Sequence, residues 1–188
     1  MNVPNALTLL RFLLVPVIAV AILRGAYGLA FMLFVVSAVS DFADGWIARR
    51  WNQRTRFGAV ADPLADKLTM LTVTVSLWML GALPWWLALA VVLRDAVIVG
   101  GALAYHWTLG SVEMAPSRMS KINTGFEFML LLGVLAILAG LLPGGPWKSL
   151  LFAATLVTIV LSGGSYVVVW SRKAAAARRA AAAGSCPS

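Results

Sequence analysis

The sequence predicts an all-α, polytopic membrane protein of six transmembrane helices with both termini cytoplasmic. Three observations carry that expectation. Of the 188 residues, 61% are hydrophobic and the mean hydropathy is +0.90, whereas a soluble domain is about half apolar. Six apolar runs each approach the roughly 20 residues needed to cross a bilayer. The basic residues are also sorted by side. Arg49, Arg50, Arg54 and Arg56 follow the second run, Arg118 and Lys121 follow the fourth, and Arg172, Lys173, Arg178 and Arg179 follow the sixth. The opposite connections hold only Arg24 and Lys148. Cytoplasmic loops carry the Lys/Arg excess, so this pattern assigns both ends of the chain to that side.

Each span has its own punctuation. The first, residues 7–23, enters from the polar Asn5 after Pro4 and is broken by Arg24, Gly25 and Gly28. It carries Arg11 and lacks a small-residue cleavage site after it, so it is expected to stay as a membrane helix. The second covers 29–50 and the third 59–80, where Gly81 and Pro84 make the turn. The fourth covers 85–105 and is followed by the polar stretch HWTLGSVEMAPSRMSK. The fifth covers 122–141 and ends at a break spanning Pro143 and Pro146; the sixth covers 150–170. Residues 1–172 therefore form one membrane domain. Residues 173–188 are a basic, Ala-rich tail expected to be disordered.

Charge and cysteine usage narrow the function classes. Fifteen Lys+Arg against 7 Asp+Glu give a net charge of +8. In a soluble protein that balance would suggest nucleic acid. Here the cations sit at the ends of apolar runs, where topology and anionic membrane lipids account for them, and no nucleic-acid partner is expected. Cys186 is the single cysteine, so no intrachain disulfide can form.

The chemistry concentrates in residues 41–66, DFADGWIARRWNQRTRFGAVADPLAD, which hold four of the seven carboxylates. Asp41 and Asp44 are spaced i, i+3 and Asp62 and Asp66 i, i+4, so each pair shares a helix face. Asp44 precedes Arg50 by six residues, about 9 Å along a helix, and Asp62 and Asp66 enter the next span at a similar depth. Gly45, Ala48, Gly58, Ala61 and Ala65 are small, which permits close approach of a helix or a ligand. Four oxygen donors without nearby His or Cys favour a hard divalent cation such as Mg²⁺ or Mn²⁺, and four carboxylates suit two ions. Two other readings stand beside this one. The acids could pair structurally with Arg49, Lys67 and Arg94, or they could line the path of a small cation transporter. The transporter reading lacks the internal repeat such proteins usually carry.

The full pattern is Asp41, Asp44-Gly45, Ala48-Arg49, Gly58, Asp62 and Asp66. With its intervening spacings it resembles the signature of the CDP-alcohol phosphatidyltransferases. That resemblance covers spans one to six. It implies a six-helix membrane enzyme, commonly a homodimer in the cell (inner) membrane, with a site for two Mg²⁺ or Mn²⁺ ions facing the cytoplasm. It makes Asp41, Asp44, Asp62 and Asp66 metal ligands and Asp66 the catalytic base. Gly45, Ala48, Arg49 and Gly58 would lie along the CDP moiety of a CDP-diacylglycerol donor.

The acceptor is read from weaker motifs. PNALTLLR, with Asn5, Thr8 and Arg11, resembles the opening of the branch that makes phosphatidylglycerophosphate and cardiolipin, and Asn5 and Thr8 join the donor-site expectation. LRDAVIVGG, Tyr105, PSRMSKINT and SGGSYVVVWSRK are similar to the CDP-diacylglycerol-dependent cardiolipin synthases. That makes phosphatidylglycerol the expected acceptor, with glycerol 3-phosphate the alternative. Arg94, Arg118 and Lys121 are the candidates for the acceptor phosphate, although Arg118 and Lys121 serve equally as topology anchors. Arg94-Asp95, in mid-span, is expected to form a mutual pair or hold a ligand. Glu127 is either functional or the partner of Arg94. His106 and the tryptophans near span ends, among them Trp85, Trp147 and Trp170, read as interfacial anchors. Gly163 and Gly164 suit close helix packing or a dimer contact.

Overall fold

The structure, a computed structural model, describes residues 3–50, 56–109 and 118–164, with side chains described for 9–41, 64–98 and 119–164. Six helices account for nearly all of them: α1 (Val3–Leu23), α2 (Tyr27–Arg50), α3 (Arg56–Met79), α4 (Trp85–Leu109), α5 (Arg118–Leu138) and α6 (Trp147–Gly164). There is no strand among the described residues. The first five helices have 21 to 25 residues, about 32–38 Å at 1.5 Å per residue. Met119–Leu138 and Trp147–Gly164 are long and apolar enough to cross a membrane by themselves. The described apolar stretches of α1 and α2, Leu9–Leu23 and Tyr27–Asp41, are shorter.

Helix ends depart from the hydropathy boundaries in a consistent way. α1 begins at Val3, α4 runs on to Leu109 and includes His106 and Trp107, and α5 begins at Arg118. Polar and amphipathic residues continue a helix past its apolar stretch while their heads reach the interface, so an apolar window trims the helix. Lys121 consequently lies in the first turn of α5 and not in a loop. The tail lies outside the described residues.

Three helix ends are closed identically. Gly25, Gly81 and Gly140 take φ values of 77°, 69° and 72°, the left-handed region that glycine enters without steric cost. In each case the next N–H reaches back five residues: Ala26 to Ala21 O, Ala82 to Leu77 O and Leu141 to Ala136 O, all at 2.9 Å. This is the Schellman closure. It turns α1 into α2, α3 into α4 and α5 into α6. Gly140 supplies the third turn just ahead of the break read at Pro143.

α1 packs most extensively on α2 and α3, and α5 packs on α2 and α3; α4 touches α3. Ile18 and Ile22 of α1 meet Phe34, Val73, Leu77, Leu87, Val91, Leu130, Leu131 and Leu135 in one buried cluster. Outward, the pattern of a soluble protein is reversed. Leu13, Val17 and Val20 on α1, Leu29, Met32, Val36 and Val39 on α2, and Leu89, Leu93 and Val97 on α4 are all exposed at helical spacing. Ile122, Phe126 and Met129 on α5 and Val157, Val160 and Leu161 on α6 continue the same surface. Contiguous exposed apolar surface on this scale marks contact with lipid or protein.

A Gly140→Ala variant is expected to lose about 1–2 kcal/mol, the left-handed cost for a residue with a Cβ. The new Cβ would meet nothing within 4 Å, so the loss is backbone alone. Gly28→Ala also meets nothing but lies in helical conformation, and should gain up to about 1 kcal/mol. Thermal unfolding in detergent compares the two; equal melting temperatures would remove the turn argument.

Candidate functional site

Between α1, α2, α3 and α5 lies a cavity of about 320 Å³. Asp41 of α2 and Asp66 of α3 both line it, so the hairpin of α2 and α3 brings one member of each acid pair to the same place. Arg11 enters from α1 and Thr124 and Gly125 from α5, while Phe34, Met70 and Phe128 close the apolar end. The hydroxyl protons of Thr69 and Thr124 are spent on the carbonyls of Ala65 (2.8 Å) and Ser120 (3.1 Å), one turn earlier in each helix. Among the described residues, the charged groups in the cavity are therefore two carboxylates and one guanidinium.

Those two carboxylates stand in different environments. Arg11, with only 1% of its side chain exposed, donates from Nη1 to Asp41 Oδ1 at 2.7 Å, and the Asp41 side chain is 46% exposed. Among the described residues Asp66 makes no ion pair, although Lys67 is its sequence neighbour. Lys67 instead donates to both oxygens of Asp95 at 2.9 Å. Asp66 is thus an accessible acid whose neutralising charge is not supplied by a described side chain.

Asp95 is the centre of a second charge system, joining α3, α4 and α5. It accepts from Lys67 and, at 2.6 Å, from Nη1 of Arg94. Nη2 of Arg94 donates to the carbonyl oxygen and hydroxyl of Ser120 at 3.2 and 2.9 Å. The mutual Arg94–Asp95 pair expected from sequence is therefore present, and it has a third member in Lys67. The guanidinium of Arg94, 2% exposed, is committed to internal partners and does not line the cavity. Glu127 is fully buried and neither carboxylate oxygen has a hydrogen-bond partner. Of the two readings of Glu127, pairing with Arg94 is not formed, because Arg94 is turned to Asp95 and Ser120.

Lys121 is exposed in the first turn of α5. Asp44, Gly45, Ala48 and Arg49 belong to α2, Gly58 and Asp62 to α3, Asn5 and Thr8 to α1, and Arg118 opens α5; their side chains lie outside the described residues. Among the described residues no three acids, histidines or cysteines cluster. Sequence reasoning missed Arg11 as the counter-charge of Asp41 and gave Lys67 to the wrong acids. The signal for Arg11 was present: it is the single charge between Met1 and Leu23, and a lone charge in an apolar helix requires a partner.

Residues 1–170 match the model of the CDP-alcohol phosphatidyltransferases, and the chain belongs to that family. Among individual relatives, a probable cardiolipin synthase (CMP-forming) of Drosophila melanogaster is 35% identical over 143 residues, covering 68% of this chain and 44% of the relative. A putative cardiolipin synthase of Mycobacterium tuberculosis is 38% identical over 131 residues, covering 69% and 62%. A probable phosphatidylglycerophosphate synthase of the same bacterium is 38% identical over 120 residues, covering 56% and 57%. The chain thus spans about half the length of the curated relatives it matches.

Asp95→Leu would leave Lys67 and Arg94 facing each other without an anion. Removing the shared anion of this partly buried network costs about 1–3 kcal/mol, so the variant should melt at lower temperature. A melting temperature equal to that of the parent would show that the network does not hold α3, α4 and α5 together.

Proposed function

We propose that the chain transfers a phosphatidyl group from CDP-diacylglycerol to a hydroxyl of phosphatidylglycerol, giving cardiolipin and CMP. The observation that carries this reading is the convergence of Asp41 and Asp66 on one cavity beside Arg11, in a chain of the CDP-alcohol phosphatidyltransferase family. The relatives named as cardiolipin synthases support phosphatidylglycerol as acceptor. The mycobacterial relative named for phosphatidylglycerophosphate keeps glycerol 3-phosphate as the second reading. Family membership leaves the cation-transporter reading without support.

The donor set fits divalent metal. Asp41 and Asp66 present hard oxygen donors to one cavity, and Asp66 has no ion-pair partner among the described residues. With Asp44 and Asp62, one helical turn away on either side, they would hold two Mg²⁺ or Mn²⁺ ions. Such ions supply Lewis-acid neutralisation of the pyrophosphate charge. Asp66 accepts the proton of the acceptor hydroxyl. The hydroxyl oxygen then bonds to the lipid-linked phosphorus as the bond to the CMP oxygen breaks. Arg11 donates to Asp41 at 2.7 Å and orients it toward the cavity. Asn5, Thr8, Gly45, Ala48, Arg49 and Gly58 line the CDP moiety. Arg118 and Lys121, at the start of α5, receive the acceptor phosphate; Arg94 serves them by holding Ser120 in the same turn.

In the membrane this reading has six spans, both termini and the active site on the cytoplasmic side of the cell (inner) membrane, and a homodimer as the working unit. The exposed apolar stripes on α1, α2, α4, α5 and α6 support immersion of the bundle beyond the two strongest spans.

Purified protein in lipid with CDP-diacylglycerol should release CMP on addition of Mg²⁺ or Mn²⁺ and stop when the metal is chelated. Cardiolipin should form with phosphatidylglycerol; phosphatidylglycerophosphate formed from glycerol 3-phosphate would move the acceptor to the second reading. Asp66→Asn should lower turnover by at least about 10²-fold, the usual worth of a general base, while donor binding persists. Near-normal turnover would overturn the role given to Asp66.

A further inference from the structure

Along the same helix seam as the acid-lined cavity lies a second, almost wholly apolar one of about 540 Å³. On α2 the first is lined by Asp41, Ala38 and Phe34 and the second by Phe31, one turn further toward the α1–α2 turn. On α5, which runs antiparallel, Thr124, Gly125 and Phe128 line the first and Met129, Leu132, Gly133 and Ala136 the second. The stacked rings of Phe34 and Phe128, 5.1 Å between centroids, mark the boundary. Trp147 and Leu151 of α6 wall the far end, where a Cβ on Gly133 would lie 3.3 Å from Leu151 and 3.4 Å from Trp147. The second cavity is open along its flank, where Met129, Leu141 and Leu142 are exposed.

The geometry points to the α2–α5 seam as the seat of one acyl chain of the CDP-lipid donor, with its apolar lower cavity measuring the length of that chain. The inference rests on the donor reading above. From Thr124 to Ala136 the seam runs about 18 Å, close to one leaflet of a hydrocarbon core about 30 Å thick. A molecule that fills it must be charged at one end and apolar along the rest. The charged end lies among Arg11, Asp41 and Asp66. The carboxylates would hold the metal that meets the donor's pyrophosphate, and Arg11 adds a cation of its own. This favours the donor over the acceptor, of which only a hydroxyl need reach Asp66. An aliphatic chain then passes the phenylalanine stack on the open side, by Met129, and ends against Trp147.

Chain-length competition tests this. Protein in mixed micelles receives equal amounts of dilauroyl and dioleoyl CDP-diacylglycerol with one fixed acceptor, and the products are resolved by mass. Leu132→Trp fills the lower cavity, and Met129→Trp obstructs its open flank from a lipid-exposed position that tolerates bulk. Each should lower the dioleoyl-to-dilauroyl ratio by about tenfold, the loss of roughly two buried methylenes, with dilauroyl turnover retained. Varying the acceptor's chains with a fixed donor should leave product ratios the same in parent and variants. CMP release with an unchanged donor ratio in both variants would overturn the groove and leave the donor reading intact. An unchanged ratio with a lower cross-linked dimer fraction would show that the groove seats a second copy, and would likewise overturn it. No CMP from either donor in the parent protein would overturn the donor reading and this inference with it.

Discussion

An ionised carboxylate beside a hydrocarbon layer must meet a cation, because the alternative of leaving it bare in low dielectric is costlier than any packing gain nearby. The arrangement of the bundle follows from how that requirement is met. Arg11 neutralises Asp41, and Lys67 and Arg94 together neutralise Asp95. Asp66 is left over. Lys67 is its neighbour in sequence, but successive residues on a helix point about 100° apart, and Lys67 is turned to α4. The cation closest in sequence is thereby turned away, and an acid lining the cavity is left without an ion pair among the described residues.

Glu127 shows the other side of the same constraint. It is fully buried on α5 without a hydrogen-bond partner, and the Arg94 guanidinium is already engaged with Asp95 and Ser120. Asn123, one turn earlier on α5, accepts from Thr158 of α6 at 2.9 Å but leaves its amide nitrogen unpartnered. Polar groups are thus concentrated on the inner face of α5 while its outer face, Ile122, Phe126 and Met129, is exposed and apolar. Polar-in, apolar-out is the sense of a helix packed in lipid, where hydrocarbon offers no driving force between helices and interior contacts are made by van der Waals packing and hydrogen bonds.

Much of this was legible in the sequence, and the reasons differ between the parts. Local signals transferred well: Gly25 and Gly81 terminate helices where the chain read as broken, since positive φ is a property of one residue. Asp41 and Asp66 line one cavity, because a short hairpin leaves little freedom in how α2 and α3 meet; the side chains of their spacing partners Asp44 and Asp62 lie outside the described residues. What did not transfer was pairing across helices distant in sequence. Asp41 finds Arg11 30 positions earlier, and Lys67 finds Asp95 28 positions later; no periodicity within one helix says which neighbour it will face. Arg94 looked available for a phosphate for the same reason, and became an internal tie once α5 brought Ser120 beside it.

The position of α1 draws these threads together. A hairpin of α2 and α3 alone would hold its acids on two helices whose mutual repulsion opposes their approach. α1 packs along both, contributes Ile18 and Ile22 to the core they share, and places its one internal charge against Asp41. Apolar packing fixes the depth of α1, and that depth sets where Arg11 can reach. A shift of one turn along α1 would move the guanidinium by about 5.4 Å and break a contact of 2.7 Å. The register of the apolar core and the electrostatics of the cavity are therefore the same constraint, and the first helix, which carries none of the four acids, is what makes the approach of Asp41 and Asp66 tolerable.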